Sequence, residues 1–165
     1  MHADTSDERG VDVAFIYDSD ILTAPPTEVF QHVIMRRHAT REILQVNFET
    51  HQGQTWTVLG NHWPARSGGE QETSGYRAIA GETLAFFHQR AGEVHGLDTP
   101  VLVMGDFNDE PFDYSLVRHA LSTRQLTRVR NAKIPRLWNL MWEILGNREG
   151  TFYFDRLPYV LDQIL

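Results

Sequence analysis

The hydrophobic period of the chain changes after residue 69, and this change constrains the fold more than any other feature. Before it, apolar residues form short β-type runs at residues 42–48 and 55–60, joined by a turn at Gly53. After it, the residues expected to face a core recur at helical spacing, at Tyr76, Ile79, Ala80, Thr83, Leu84 and Phe87. This spacing predicts one long amphipathic helix that stops near Gly96.

The remaining segments complete an α/β pattern. Asp113 has the position of an N-cap for a helix that continues through Leu121. Strands in runs with helices between some of them indicate two packed β-sheets with helices outside. Further strands are predicted at residues 11–17, 29–36, 99–104, 151–154 and 159–165, and a further helix at residues 138–145.

Composition excludes several classes of protein. The 165 residues suffice for one domain with a proper core, and the absence of cysteine excludes disulfides and thiolate metal sites. The formal net charge of −7 argues against a broad phosphate-gripping surface, and no aromatic-basic patch that would suit a tight duplex binder is evident. No apolar run reaches the ~20 residues that span a bilayer. The acidic N-terminus does not fit a signal peptide.

Gly105, Asp106, Phe107 and Asn108 follow the apolar run of residues 99–104. Ligands bind at the carboxyl ends of strands in open α/β sheets. Asp106 and Asn108 are therefore placed where they could hold a metal ion, orient a water molecule or grip a phosphate oxygen. The alternative interpretation is an ordinary strand-to-turn junction, because Gly, Asp and Asn are good turn formers.

Asn61 and His62 end the preceding predicted strand in the same way. His62 can donate to a phosphate oxygen or exchange a proton near neutral pH, although a histidine beside tryptophan is more often a packed residue. If the two strands are neighbours, His62 and Asp106 face one cleft. Arg66, on the loop that follows, either clamps a phosphate or is solvated. Asp162, in an apolar strand, either orients a catalytic histidine or is a structural carboxylate.

Three motifs, at residues 61–63, 105–108 and 161–165, resemble in this order those of the endonuclease/exonuclease/phosphatase superfamily. Arg9 and Gly10 also resemble the arginine-glycine pair that precedes a central strand of that family. The resemblance implies a DNase I-like fold, a four-layer α/β/β/α sandwich of two packed sheets. It also implies hydrolysis of a phosphate ester, in a nucleic acid, a lipid or another small molecule, by a metal-activated water. The metal is usually Mg²⁺, with Mn²⁺ and Ca²⁺ as alternatives.

The resemblance also implies roles for individual residues. His62 resembles the histidine that contacts the phosphate and assists the leaving oxygen. Asp106 resembles the aspartate that orients or deprotonates the attacking water, and Asn108 resembles its partner in holding phosphate or metal. Asp162 resembles the aspartate that orients a further catalytic histidine. Asn61 and Arg66 are expected to contact the substrate, and Asp106 and Asn108 to bind the metal.

The chain also departs from the family pattern. The principal metal-binding glutamate is not recognisable before Arg9, and the closing Ser-Asp-His element does not occur by Leu165. We therefore expect a single domain over residues 1–165 that is truncated at both ends and impaired in activity on its own. Exposed sheet edges would favour a homodimer. The alternative is a non-catalytic binding or interaction module on the same fold.

Overall fold

The computed structural model describes residues 2–3 (backbone only), 10–35, 37 and 40–165. Arg9, part of a predicted family motif, lies outside the described residues. The α-helices are α1 (Glu70–His95) and α2 (Leu126–Arg130), and shorter helical turns occur at Pro26–Glu28, Arg66–Gly68, Ser115–His119 and Leu140–Glu143. The strands are β1 (His2–Ala3), β2 (Val13–Ala14), β3 (Leu22–Thr23), β4 (Val29–His32), β5 (Ile43–Thr50), β6 (Thr55–His62), β7 (Val101–Asp106), β8 (Ser122–Thr123), β9 (Leu137–Trp138), β10 (Phe152–Phe154), β11 (Leu157–Tyr159) and β12 (Asp162–Ile164).

Six strands form the main sheet, in the order β12-β7-β6-β5-β3, with β4 also paired to β5. β5 and β6 form the predicted hairpin, and Gly53 in its turn has a φ of 76°. β6 and β7 are parallel and are joined by α1, whereas β12 runs antiparallel to β7. The carboxyl ends of β6 and β7 therefore meet the amino end of β12 at one end of the sheet.

The main sheet is packed on both faces. On one face, Ala80 and Leu84 of α1 lie in a buried cluster with sheet residues Ile43, Leu59 and Val103. On the other face, Val13 of β2 belongs to a second buried cluster. Its other members are Leu44, Val46, Phe48 and Val58, and partly buried Phe15 packs against it. Two cores on opposite faces of one sheet are what a layered sandwich requires, because each layer buries one apolar face.

The long predicted helix is present as α1, and it ends at Gly96, which has a φ of 103°. Ala80 and Leu84 are buried as predicted, but Ile79 is 43% exposed and Gly81 is buried in its place. A Cβ atom at Gly81 would lie 2.5 Å from the carbonyl oxygen of Ser115. Glycine at this position lets α1 approach the Ser115–His119 turn closely.

One predicted helix was wrong, and another is shorter than predicted and of a different type. Residues 138–145 form the end of β9 and the 3₁₀ helix Leu140–Glu143, because the Asn139 side chain accepts a hydrogen bond from the Met141 backbone N–H and starts a tight turn. The helix predicted after Asp113 is limited to the π-type turn Ser115–His119. The Asp113 carboxylate accepts from the backbone N–H of Glu110 instead of from the helix.

The predicted strand at residues 11–17 is paired over Val13–Ala14 alone in the described part of the chain. The predicted strand at residues 159–165 is divided between β11 and β12. No helix in the described ranges is long and apolar enough to cross a membrane.

Candidate active site

Three polar side chains come together where β6, β7 and β12 meet. His62, the last residue of β6, is in register with Asp106, the last residue of β7. Asp162, the first residue of β12, pairs with the same Asp106. The distance from His62 Nε2 to Asp106 Oδ2 is 3.7 Å, and the two side chains are 32% and 33% exposed. All three residues line one cavity of about 550 Å³. The prediction that His62 and Asp106 face one cleft is therefore confirmed.

Backbone geometry at the end of β7 holds the Asp106 carboxylate in place. Gly105 has a φ of 133°, and a Cβ atom there would lie 2.0 Å from the carbonyl oxygen of Asn61. Glycine is therefore required for β7 to approach β6 at this level. Asn108 has a φ of 50°, a conformation that asparagine tolerates, and its backbone N–H donates to Asp106 Oδ1 at 2.8 Å.

Burial and nearby charges have opposing effects on the pKa of the Asp106 carboxyl. Burial raises the pKa of Asp106 above its ordinary value, and the negative charge of Asp162 raises it further. The backbone N–H of Asn108 and the charges of Arg41 and Arg66 act in the opposite direction. A carboxyl group in a cleft with a raised pKa is a candidate for accepting a proton during catalysis.

Trp63 and Arg41 support the strand ends from within the core. The Trp63 backbone N–H donates to the Asp106 carbonyl oxygen, and its indole Nε1 donates to Asn61 Oδ1, both at 2.9 Å. The Trp63 carbonyl oxygen accepts from Asn108 Nδ2 and from Arg41 Nη2, each at 3.0 Å. Arg41 Nε also donates to the carbonyl oxygen of His62 at 3.1 Å. The side chains of Asn61 and Asn108 are thereby tied to the scaffold of the cleft.

Arg41 is 1% exposed and was not predicted from the sequence. Its one sequence signal is a charged residue just before the apolar run of β5, a place where exposed arginines are also common.

Arg66 is engaged by the loop that follows β7. Its Nε donates to the Asn108 carbonyl oxygen at 2.6 Å, and its Nη2 contacts Asp113 Oδ2 at 2.8 Å and Asp109 Oδ1 at 3.2 Å. Its Nη1 lies 3.2 Å from Glu70 Oε2. A substrate phosphate would have to compete with three carboxylates for this guanidinium, so its role in substrate binding stays a prediction.

Asp109 anchors the same loop to α1. Its carboxylate lies 2.6 Å from Arg77 Nε and accepts from Ser115 Oγ at 2.5 Å, and burial raises its pKa. Gln163 Nε2 donates to the Asp109 carbonyl oxygen at 2.6 Å, which connects the loop to β12. The buried Asp109–Arg77 pair was missed from the sequence because its members are 32 positions apart and on different elements.

The fit of these residues to a metal ion is partial. Asp106 and Asp162 place two negative charges side by side, which suits a cation. Asn108 Nδ2 donates to the Trp63 carbonyl oxygen, so Asn108 Oδ1 is the side-chain atom left to bind a metal ion. Across the residues that the structure describes, no group of three His, Asp or Glu side chains forms a metal site.

The expected absence of an aromatic-basic patch was wrong. Four arginines between residues 118 and 136 line one cavity together with Phe112 and Trp142: they are Arg118, Arg124, Arg128 and Arg136. The arginines come from four different turns and short elements of one stretch without Asp or Glu, so the sequence shows a basic segment there but not that it encloses a cavity.

The layers and the cleft define the class of protein. A main sheet with a core on each face, and a His-Asp pair at the ends of two parallel strands, is the arrangement of the DNase I-like α/β sandwich. The sequence matches the endonuclease/exonuclease/phosphatase family over residues 1–165, and the chain belongs to that family. The family resemblance and the fold class predicted from the sequence are both confirmed.

Solved structures agree on the fold. The chain is similar to the catalytic domain of human Nocturnin with a bound sulfate anion, with a TM-score of 0.57 and 17% identity over 88% of this chain and 48% of that one. It is also similar to a mannosyl-6-phosphatase from Bacteroides thetaiotaomicron, with a TM-score of 0.54 and 12% identity over 90% of this chain and 54% of that one. An endonuclease/exonuclease/phosphatase from Bacteroides vulgatus has a TM-score of 0.53 and 13% identity over 99% of this chain and 62% of that one. The chain thus spans about half the length of the first two of these structures. No curated protein is a significant match in sequence.

Proposed function

We propose that the chain carries the phosphate-binding half of a phosphate-ester hydrolase site. The observation that supports this most is the strand register, which brings His62, Asp106 and Asp162 to one cleft. Membership of the family supports the reaction class. The mannosyl-6-phosphatase with a similar fold supports a phosphate ester as substrate.

In the proposed reaction, a water molecule attacks phosphorus while the Asp106 carboxylate accepts its proton. The bond from phosphorus to the ester oxygen breaks, and His62 in its protonated form gives a proton to the leaving oxygen. Asn108 Oδ1 and the Asp106 carboxylate would hold a divalent cation such as Mg²⁺, which when bound neutralises charge on the phosphate. Asn61 acts through Trp63 to position the strand ends. Asp162 orients a further histidine in the proposed mechanism.

Turnover of small chromogenic esters tests this proposal. The chain is incubated with Mg²⁺ or Mn²⁺ and either bis(p-nitrophenyl) phosphate or p-nitrophenyl phosphate, with EDTA as the metal-free arm. We expect a low rate that depends on the metal, because the described residues do not offer a complete metal site. Asp106→Asn and His62→Gln should each reduce that rate by roughly 10²–10⁴-fold.

His51→Gln is the matched control, because His51 is exposed in the β5–β6 turn. Equal rates for Asp106→Asn and the unmodified chain would remove Asp106 from the mechanism. A preference for the diester or the monoester would separate a nuclease-type substrate from a phosphatase-type one.

A binding module without catalysis is the second candidate. It is favoured by the side chains of Asn61, Asn108 and Arg66, which make contacts within the protein. In that case the chain would bind a phosphate ester in the cleft, and Asp106→Asn would change affinity without any turnover to lose.

We further propose a homodimer through the sheet edges. In the described part of the main sheet the edges are formed by β12 on one side and by β3 and β4 on the other. Unpaired strand edges favour association with a second copy. Light scattering coupled to size-exclusion chromatography should give twice the mass of 19.0 kDa, and a stable monomer at micromolar concentration would contradict the proposal.

A further inference from the structure

A second cavity, separate from the catalytic cleft, is lined by arginine and aromatic side chains. Its volume is about 500 Å³, and we call it the arginine pocket after Arg118, Arg124, Arg128 and Arg136. No described residue lines both this pocket and the catalytic cleft. The two cavities are nevertheless neighbours, because Met141 lines the cleft and the adjacent Trp142 lines the pocket.

The arginine pocket is strongly positive in a protein that is negative overall. The chain has a net charge of −7, yet residues 114–142 contain no Asp or Glu. Within the described residues, none of the four pocket arginines forms an ion pair with a carboxylate, whereas Arg66 and Arg77 do. Four guanidinium groups around one cavity repel each other, so an anion bound among them would be stabilised.

The pocket also offers flat apolar surface and hydrogen-bond donors. Phe112 and Trp142 pack edge to face with ring centroids 6.4 Å apart, and the Arg124 guanidinium lies 5.3 Å from the centre of the Trp142 ring. Ser122 lines the pocket and is 1% exposed. Ser122 Oγ and Trp142 Nε1 are both buried, with no hydrogen-bond partner among the described residues. Buried polar atoms normally have a partner, so these two donors point to a ligand with acceptor oxygens.

We propose that the arginine pocket binds a nucleoside phosphate. The phosphate oxygens would be held by the arginines, whose planar guanidinium groups match phosphate geometry in a bidentate manner. The base would lie against Trp142 and Phe112. A cavity of this volume accommodates a small ligand of that size. The net charge of −7 disfavours a long polyanionic strand as the occupant.

Calorimetric titration of the 165-residue chain in metal-free buffer tests the proposal, with ADP, adenosine and pyrophosphate as probes. ADP should bind more tightly than either adenosine or pyrophosphate, because only ADP uses both the arginines and the aromatic rings. Arg128→Gln and Arg136→Gln should each weaken ADP binding at least tenfold. Trp142→Ala should weaken ADP binding but leave pyrophosphate binding within twofold.

Two variants serve as controls. Arg148→Gln removes the same charge from an exposed position that does not line the pocket, and it should leave the ADP affinity within twofold. Asp106→Asn alters the catalytic cleft alone and should also leave it within twofold. Arg128 is exposed, so its replacement is not expected to unfold the chain, and circular dichroism verifies this for each variant.

Several results would overturn the nucleoside phosphate site. These are no detectable ADP binding, equal affinity for ADP and pyrophosphate, equal losses for Arg128→Gln and Arg148→Gln, or tighter binding of a ten-nucleotide single strand than of ADP. The site does not depend on hydrolysis in the catalytic cleft. Metal-dependent turnover without ADP binding would therefore refute the pocket and leave the proposed function standing.

Discussion

Replacing Gly105, inside β7, with alanine should destabilise the protein far more than the same replacement at the Gly53 turn. Two costs combine at this position. A φ of 133° belongs to a region that is used almost entirely by glycine, and forcing alanine into it costs about 1–3 kcal/mol. The new Cβ atom would also lie 2.0 Å from the Asn61 carbonyl oxygen, far inside the 3.4 Å of ordinary contact. Relieving this overlap by shifting β6 or β7 costs a further 1–3 kcal/mol or so.

Two other glycines separate these costs. Gly53 has a φ of 76° with no atom within 4 Å of its virtual Cβ, so Gly53→Ala should show backbone strain alone, about 1 kcal/mol. Gly75 lies inside α1, also with no atom within 4 Å, so Gly75→Ala should stabilise the protein by about 0.5–1 kcal/mol. Urea denaturation followed by far-UV circular dichroism gives the free energy of unfolding of each variant.

The expected total loss for Gly105→Ala is about 2–6 kcal/mol, the sum of the strain and overpacking ranges. A complete failure of this variant to fold would agree with the reasoning, provided that Gly53→Ala still unfolds cooperatively. A free energy of unfolding for Gly105→Ala within 0.5 kcal/mol or so of that for Gly53→Ala would show that β7 does not need glycine to pack against β6.

Three further predictions concern buried charge. Arg77→Met should lower the free energy of unfolding by about 3 kcal/mol, because Asp109 loses its buried positively charged partner. Arg90→Met, at an exposed pair, should barely change the free energy of unfolding, and equal urea midpoints for the two variants would contradict this. Burial lowers the pKa of His88 from 6.5 to about 4, so the unfolded chain takes up this proton first as the pH falls. The free energy of unfolding should then decrease from pH 6.5 to 4 by up to about 3 kcal/mol, and the decrease should be absent in His88→Gln urea titrations. The raised pKa of Asp106 makes stability depend on pH in the opposite direction, because ionisation of this buried carboxyl destabilises the folded state as the pH rises. As the pH rises from 4 to 7, the melting temperature of Asp106→Asn should therefore increase relative to that of the unmodified chain. A difference in melting temperature that stays constant over this range would refute the burial effect.

The cleft lined by His62, Asp106 and Asp162 was the most predictable part of the site. His62 and Asp106 each follow a short apolar run, and strand ends collect ligands in α/β folds, so their meeting needed just one assumption, that the strands are neighbours. The register of β6 and β7 confirms it. The same reasoning does not identify Arg41, because the carbonyl groups to which it donates belong to His62 and Trp63, more than 20 residues away in sequence.

Other features depend on tertiary packing that local patterns do not record. The apolar content of residues 138–145 resembles a helix, but the Asn139 side chain stabilises a tight turn in its place. The arginine pocket has a similar origin. Arg118 and Arg136 are separated by β8 and α2, and only the chain reversals between them bring the two into one cavity.

Trp63 gives the cleft an intrinsic optical probe. Its side chain is fully buried, its indole N–H donates to Asn61, and its ring packs against Phe107 with centroids 4.7 Å apart. Its backbone joins Asp106, Asn108 and Arg41. Any displacement of the strand ends, by a bound phosphate ester or by a substitution, would alter the polarity and quenching around this indole. With the other three tryptophans of the chain replaced by phenylalanine, Trp63 emission can follow the state of the cleft directly, without a label or a substrate that must turn over.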